Sequence, residues 1–123
     1  MINVKDLLID TVNDYMETKG YEWPVIQQGS MEAGWTYPEH FFTFFNNDSF
    51  DLAFYDNDEN RTVWDFDLNV YSIDPELANT VLREVKPMLK AQGFICAGAG
   101  YDVMSDHASH IGRGMNVKYL ENL

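Results

Sequence analysis

Between positions 51 and 67 the chain reads DLAFYDNDENRTVWDFD, and its six carboxylates (Asp51, Asp56, Asp58, Glu59, Asp65 and Asp67) are offset by one cation, Arg61. Carboxylates this dense can hold a divalent cation or share a proton. Asp56, Asp58 and Asn60 stand at the first, third and fifth places of an EF-hand loop, and Asp67 stands at the twelfth. Arg61, however, takes the place where the loop's sharp turn requires glycine, and the twelfth ligand should be a bidentate Glu. The stretch therefore reads as a solvated turn, and no metal site is expected there. Asp65 and Asp67 alternate along a strand, which sets their carboxylates about 7 Å apart on one face. That spacing would permit paired acid–base work of the glycosidase kind. Nothing else converges on the pair, and any half-exposed strand shows the same alternation.

The histidines and glycines can be weighed in the same way. His107 and His110 lie near Asp102 and Asp106, but a structural zinc site favours thiolates and Cys96 is the only cysteine. Ser105 and Ser109 flank the histidines without the strand–turn–helix elbow of a nucleophile. Gly98 and Gly100 begin a dinucleotide pattern in which Val103 replaces the third glycine, and no helix follows. These glycines, with Gly112 and Gly114, read as tight turns and as places where strands approach closely. Arg113 between Gly112 and Gly114 is a lone cation on a flexible spot. It can pair with a carboxylate of its own chain or of a neighbouring subunit. No cofactor, metal or catalytic set is expected, and the chain reads as a non-enzyme.

The elements that carry these residues follow from hydrophobic spacing. Val4, Leu8, Val12 and Tyr15 predict a helix over 3–18, ended by Gly20. A short strand is expected near 24–27, then a loop to Pro38. HFFTFFNN is apolar on both faces, so it is a strand covered on both sides, or one covered only when subunits meet. NNDS reads as a turn, with FDLAFY as the antiparallel continuation. TVWDFDLNVYS alternates, with Trp64, Phe66, Leu68 and Val70 inward and Asp65, Asp67 and Asn69 outward. Asp74 and Pro75 are N-cap and first residue of a second helix, whose stripe is Leu77, Val81, Val85, Met88 and Leu89. Pro87 should kink it or loosen its last turn, and Gly93 should close it. FICAG and YDVMS are strands, DHASHIGRG a loop and MNVKYLE a last strand. The result is one domain over 1–123. It is an α+β fold with a mainly antiparallel sheet and two principal helices packed on one side.

Composition bounds the function. With 20 acidic against 8 basic residues the formal charge is −12. Such a surface repels polyanions, so direct nucleic-acid binding is not expected. It favours a basic partner or solubility before assembly. One cysteine cannot form an internal disulfide, which fits a reducing cytoplasm. No apolar run is long enough to span a bilayer, and MINVKDLLID lacks the basic-then-apolar order of an export signal.

Four phrases, YPEHFFTFFNND, AFYDND, TVWDFDLNVYSIDPELANTVLREVKPMLKAQGF and GYDVMSDHASHIGRGMNV, span roughly 37–117. Their order and wording resemble the tail-terminator or tail-completion proteins of the neck of long-tailed bacteriophages and prophages. SIDPE, from Ser72 to Glu76, matches the turn before that group's second helix. The resemblance implies a non-enzymatic assembly protein that forms a ring, usually a hexamer, on the end of the tail tube and meets the head connector. Its place would be the host cytoplasm during assembly and then the virion. A ring subunit needs surfaces that close on themselves. Phe42 and Phe44, Asp65 and Asp67, and Arg113 are the residues expected to meet a neighbour. The alternative is an acidic inhibitor that mimics DNA in the basic groove of a host enzyme. A carboxylate enzyme is a weaker third reading.

Overall fold

The computed structural model describes residues 3–28, 36–53 and 60–122. Helix α1 spans Val4–Lys19, strand β1 Val25–Gln27, β2 His40–Ala53 and β3 Asn60–Ser72. Helix α2 spans Pro75–Ala91, and β4 (Ile95–Cys96), β5 (Tyr101–Val103) and β6 (Ile111–Asn122) complete the fold. The sheet order is β1-β2-β3-β6-β4, with β5 also pairing with β6. Among the described residues the β1–β2 ladder is parallel, and the β2–β3, β3–β6, β4–β6 and β5–β6 ladders are antiparallel. The architecture is thus the expected α+β arrangement.

Both helices begin and end where local chemistry dictates. The Asn3 side chain accepts from the Asp6 amide at the start of α1, and Asp74 accepts from the Glu76 and Leu77 amides at the start of α2. Each helix ends in a Schellman closure. The Gly20 and Tyr21 amides return to Glu17 and Met16, and those of Gly93 and Phe94 return to Lys90 and Leu89. Gly20 and Gly93 supply the required positive φ, 74° and 99°. Pro87 lies inside α2, and the helix continues past it to Ala91.

The helices pack on one face of the sheet. Leu8, Val12 and Tyr15 from α1 and Val81, Val85 and Leu89 from α2 share a core with Phe66, Leu68 and Val70 of β3 and with Met115 and Val117 of β6. A buried aliphatic or aromatic side chain contributes about 1.5–3 kcal/mol, so this face holds most of the fold's apolar stabilisation. Tyr15 Oη also donates to Glu84 at 2.7 Å, and Lys19 pairs with the same carboxylate at 3.1 Å, tying α1 to α2. The Tyr15 hydroxyl and the Lys19 ammonium hold the Glu84 carboxyl below the usual range.

Three sequence expectations need correction. NNDS is no turn: His40 to Ala53 form one strand, and its register along β3 shifts between Asn46 and Asp48. One extra residue is absorbed as a bulge, and FDLA pairs with β3 instead of folding back on HFFTFF. The IGRG segment is strand, since β6 starts at Ile111. Its glycines permit close packing across the sheet in place of a turn. Asn69, expected outward on a wet face, is buried beside Thr43, because β5 closes over it. The acidic residues Asp56, Asp58 and Glu59 lie outside the described residues.

Candidate interaction surface

Strand alternation assigns every predicted contact residue to a face. Phe42 and Phe44 point toward the helices and are 0% and 2% exposed. Phe41 and Thr43 on the other side are 2% exposed too, so the strand is covered on both sides from Phe41 to Phe44 inside one subunit, and Phe42 and Phe44 are core, not interface. A ring enclosed by Val70, Leu68 and the helices offers nothing to a neighbour. Phe41 is covered from the opposite face, where it stacks on Tyr71 at 5.1 Å and meets Tyr37 edge-on at 5.3 Å.

That opposite face carries Asp65 and Asp67, side by side on β3 as expected. Neither is a bare charge. Asn116 Nδ2 donates to Asp65 at 2.6 Å and Asn47 Nδ2 at 3.4 Å. Tyr101 Oη donates to Asp67 at 3.0 Å. Burial, and then this bond to a carboxylate, push the Tyr101 phenol up to about 12. The register sets Phe45 directly across from Asp67. Further along, Leu120 lies across from Val63. Phe45 is 45% exposed, Tyr101 43% and Leu120 36%. The helices lie on the other side, so this half of the face presents a phenylalanine, a tyrosine and a leucine near two hydrogen-bonded carboxylates, with exposed Lys118 across from Asp65. Apolar and aromatic side chains beside satisfied polar groups are the composition of an interface core and its rim.

The other half of the face is closed by the chain itself. Tyr37 Oη donates to Asp106 at 3.1 Å, and His107 packs on the Tyr37 ring at 4.0 Å. His110 Nε2 lies 2.7 Å from the Pro38 carbonyl, and its Nδ1 lies 2.9 Å from Ser109 Oγ. A carbonyl only accepts, so Nε2 carries a proton, and in the neutral ring Nδ1 then accepts from the serine. The histidines therefore fasten the 105–110 segment to 36–39. Among the described residues, no group of three or more His, Cys, Asp or Glu could hold a metal.

Arg113 lies on the helix side of β6, apart from Asp65 and Asp67. It forms an ion pair with Asp102 at 2.8 Å and donates to the Ala99 carbonyl at 2.9 Å. Of the two pairings left open by sequence, the one within its own chain is present. Gly112 and Gly114 fall on the opposite face, one to each side of it. A Cβ at Gly112 would lie 2.8 Å from Tyr71 Cε1 and one at Gly114 would lie 2.7 Å from Val103 Cγ2. Glycine here is the gap into which Tyr71, Val103 and Tyr101 settle.

The residues missed in the sequence are Tyr101, Phe45 and Asn116. Tyr101 reaches Asp67 only because β5 pairs with β6 at Gly114, a long-range register with no local signal. Phe45 was visible as the odd ring in FFTFF, but its exposure depends on where the covering segment stops. No protein-family model matches the chain, and no curated protein matches it.

Proposed function

We propose that this protein is a non-enzymatic virion assembly protein of the tail-terminator or head–tail joining type. Copies would form a ring on the end of a phage tail tube and present a surface to the head connector. The observation that carries this reading is the sheet face left uncovered around Phe45, Asp67, Tyr101 and Leu120. It is a preformed, strand-based patch in which exposed apolar side chains stand beside Asp65, Asp67 and Lys118. The phrases that resemble the neck proteins run through the same strands, and Asp74 of SIDPE caps α2. An acidic subunit also suits steering toward a basic tail or connector surface. The test is assembly: purified protein is added to tail tubes lacking a terminator, and capped tubes and ring mass are scored by electron microscopy and light scattering.

A second reading has one feature in its favour. Asp6, Asp10, Asp14 and Glu17 recur along the exposed side of α1, which is the way an acidic inhibitor spaces charge along a helix. A monomer that blocks a DNA-binding enzyme, with no effect on tail tubes, would select that function instead.

A further inference from the structure

Five of the chain's eight basic residues, Arg83, Lys86, Lys90, Arg113 and Lys118, lie on α2 or on β6. Three of them, Arg83, Lys86 and Arg113, line one cavity of about 370 Å³ between the helix and the outer edge of the sheet. Among the described residues no carboxylate lines it, in a chain where acids outnumber bases 20 to 8.

The cavity is a built feature of the fold. Along the edge of β6, Cys96 pairs with Val117 and Tyr101 with Gly114. The four residues 97–100 therefore span a gap of two on the partner strand and stand out from the sheet. Gly98 and Gly100 give the positive φ values, 77° and 89°, that turn the chain there. A Cβ on Gly100 would lie 2.7 Å from Leu82 Cδ2, so glycine lets this bulge close against α2. Lys86 Nζ donates to the Gly98 carbonyl at 2.5 Å and Arg113 to the Ala99 carbonyl. Both carbonyls orient these cations without neutralising them.

We propose that this cavity binds an organic carboxylate carrying a compact apolar group, such as an aryl or branched-chain acid. Asp102 already compensates Arg113. Among the described residues neither Arg83 nor Lys86 is in a close ion pair; Arg83 acts on Glu84 only through its field, and at spacing i, i+3 the two cations share one helix face. Together they supply the charge that a carboxylate lacks. Leu82 and Met115 supply the apolar floor, and methionine adapts its shape to an irregular ligand. Inorganic phosphate fits poorly. Arg and Lys bind phosphate as well as carboxylate, but the bulge turns the carbonyls of Gly98 and Ala99 toward the cations, not the converging backbone amides that favour phosphate. The volume also exceeds what a small bare anion fills. The carboxylate can come from a free acid or from an acidic side chain on an apolar segment of a second copy. The proposal is independent of the ring reading.

The test is a titration of the full-length protein with benzoate, acetate and inorganic phosphate, followed by NMR at the Ala99 amide and the Met115 methyl. Benzoate should give a saturable shift at both, tighter than acetate or phosphate. Arg83→Gln and Lys86→Gln should each weaken it about tenfold, and Arg83→Lys should restore part of the loss. If the same signals move with protein concentration and benzoate reverses that movement, the carboxylate belongs to a second copy. If they do not move with protein concentration while benzoate binds, the ligand is a free acid. The proposal is overturned if neither benzoate nor protein concentration moves these signals. It is equally overturned if the double variant binds benzoate unchanged, or if phosphate binds as tightly.

Discussion

A methyl group on Gly114 would lie 2.7 Å from Val103 Cγ2 and 2.9 Å from Tyr101 Cε2, and would press on Asn69 Oδ1. Gly114→Ala should therefore destabilise the protein by about 1–3 kcal/mol through overpacking, read as a lower urea midpoint at unchanged slope. Gly98 has open space around its Cα and only its positive φ to defend, so Gly98→Ala should cost less, about 1 kcal/mol. The alternation G-R-G was plain in the sequence as a local oddity. That it sends two gaps to one face and a cation to the other required knowing it was a strand. Tyr101 gives a pH test at the same scale. Its phenol, raised from about 10 to about 12, holds its proton more tightly in the fold than in the unfolded chain. The stability it contributes is complete below about pH 10 and is lost as pH rises toward 12. Tyr15, Tyr37 and Tyr71 are raised as well. Alkaline titration followed by phenolate absorbance should show late tyrosines, one fewer in Tyr101→Phe, together with a shallower loss of stability above pH 10.

At the scale of elements, the start of α2 was legible because its determinants are local. Asp74, Pro75 and the stripe through Leu89 lie within one stretch of chain, and the cap forms as its chemistry requires. Ser72 adds what the sequence did not disclose: its buried hydroxyl accepts from the Asp74 amide at 2.9 Å and lies 2.8 Å from His40 Nδ1. Asp74→Ala should cost about 1 kcal/mol, and Asp74→Ser far less, because serine caps nearly as well. Thermal unfolding of the two variants compares them directly. The bulge in β2 was misread for the opposite reason. NNDS has turn-forming residues, but whether such residues turn or bulge depends on the partner strand. Here β3 continues alongside it and Asn47 finds Asp65. Short-range chemistry suits a turn and a bulge alike; only long-range pairing decides between them.

For the whole molecule, composition and alternation sufficed for the class of fold and for which side of β3 meets the helices. They misplaced the candidate surface. Phe42 and Phe44 are large, apolar and adjacent to polar residues, yet both lie in the core, while the ring that remains exposed is Phe45. Such a surface is a difference between what is buried and what is available, and that difference exists only after the sheet has closed. Asp67 survives as a candidate contact, now with Tyr101 and Phe45 as its companions. The central claim is that this face holds subunits together at the end of a tail tube. Its most direct test is the light-scattering mass of the protein with and without terminator-free tubes, for the native chain beside Phe45→Asp and Asp67→Lys. The account predicts a ring-sized multiple of the chain mass and capped tubes for the native protein. For both variants it predicts folded single chains, Phe45→Asp with an unfolding midpoint close to native and Asp67→Lys with a modestly lower one, because it loses the Tyr101 bond. A native chain that stays single at every concentration and on tubes, or variants that assemble as well as it does, would contradict the account.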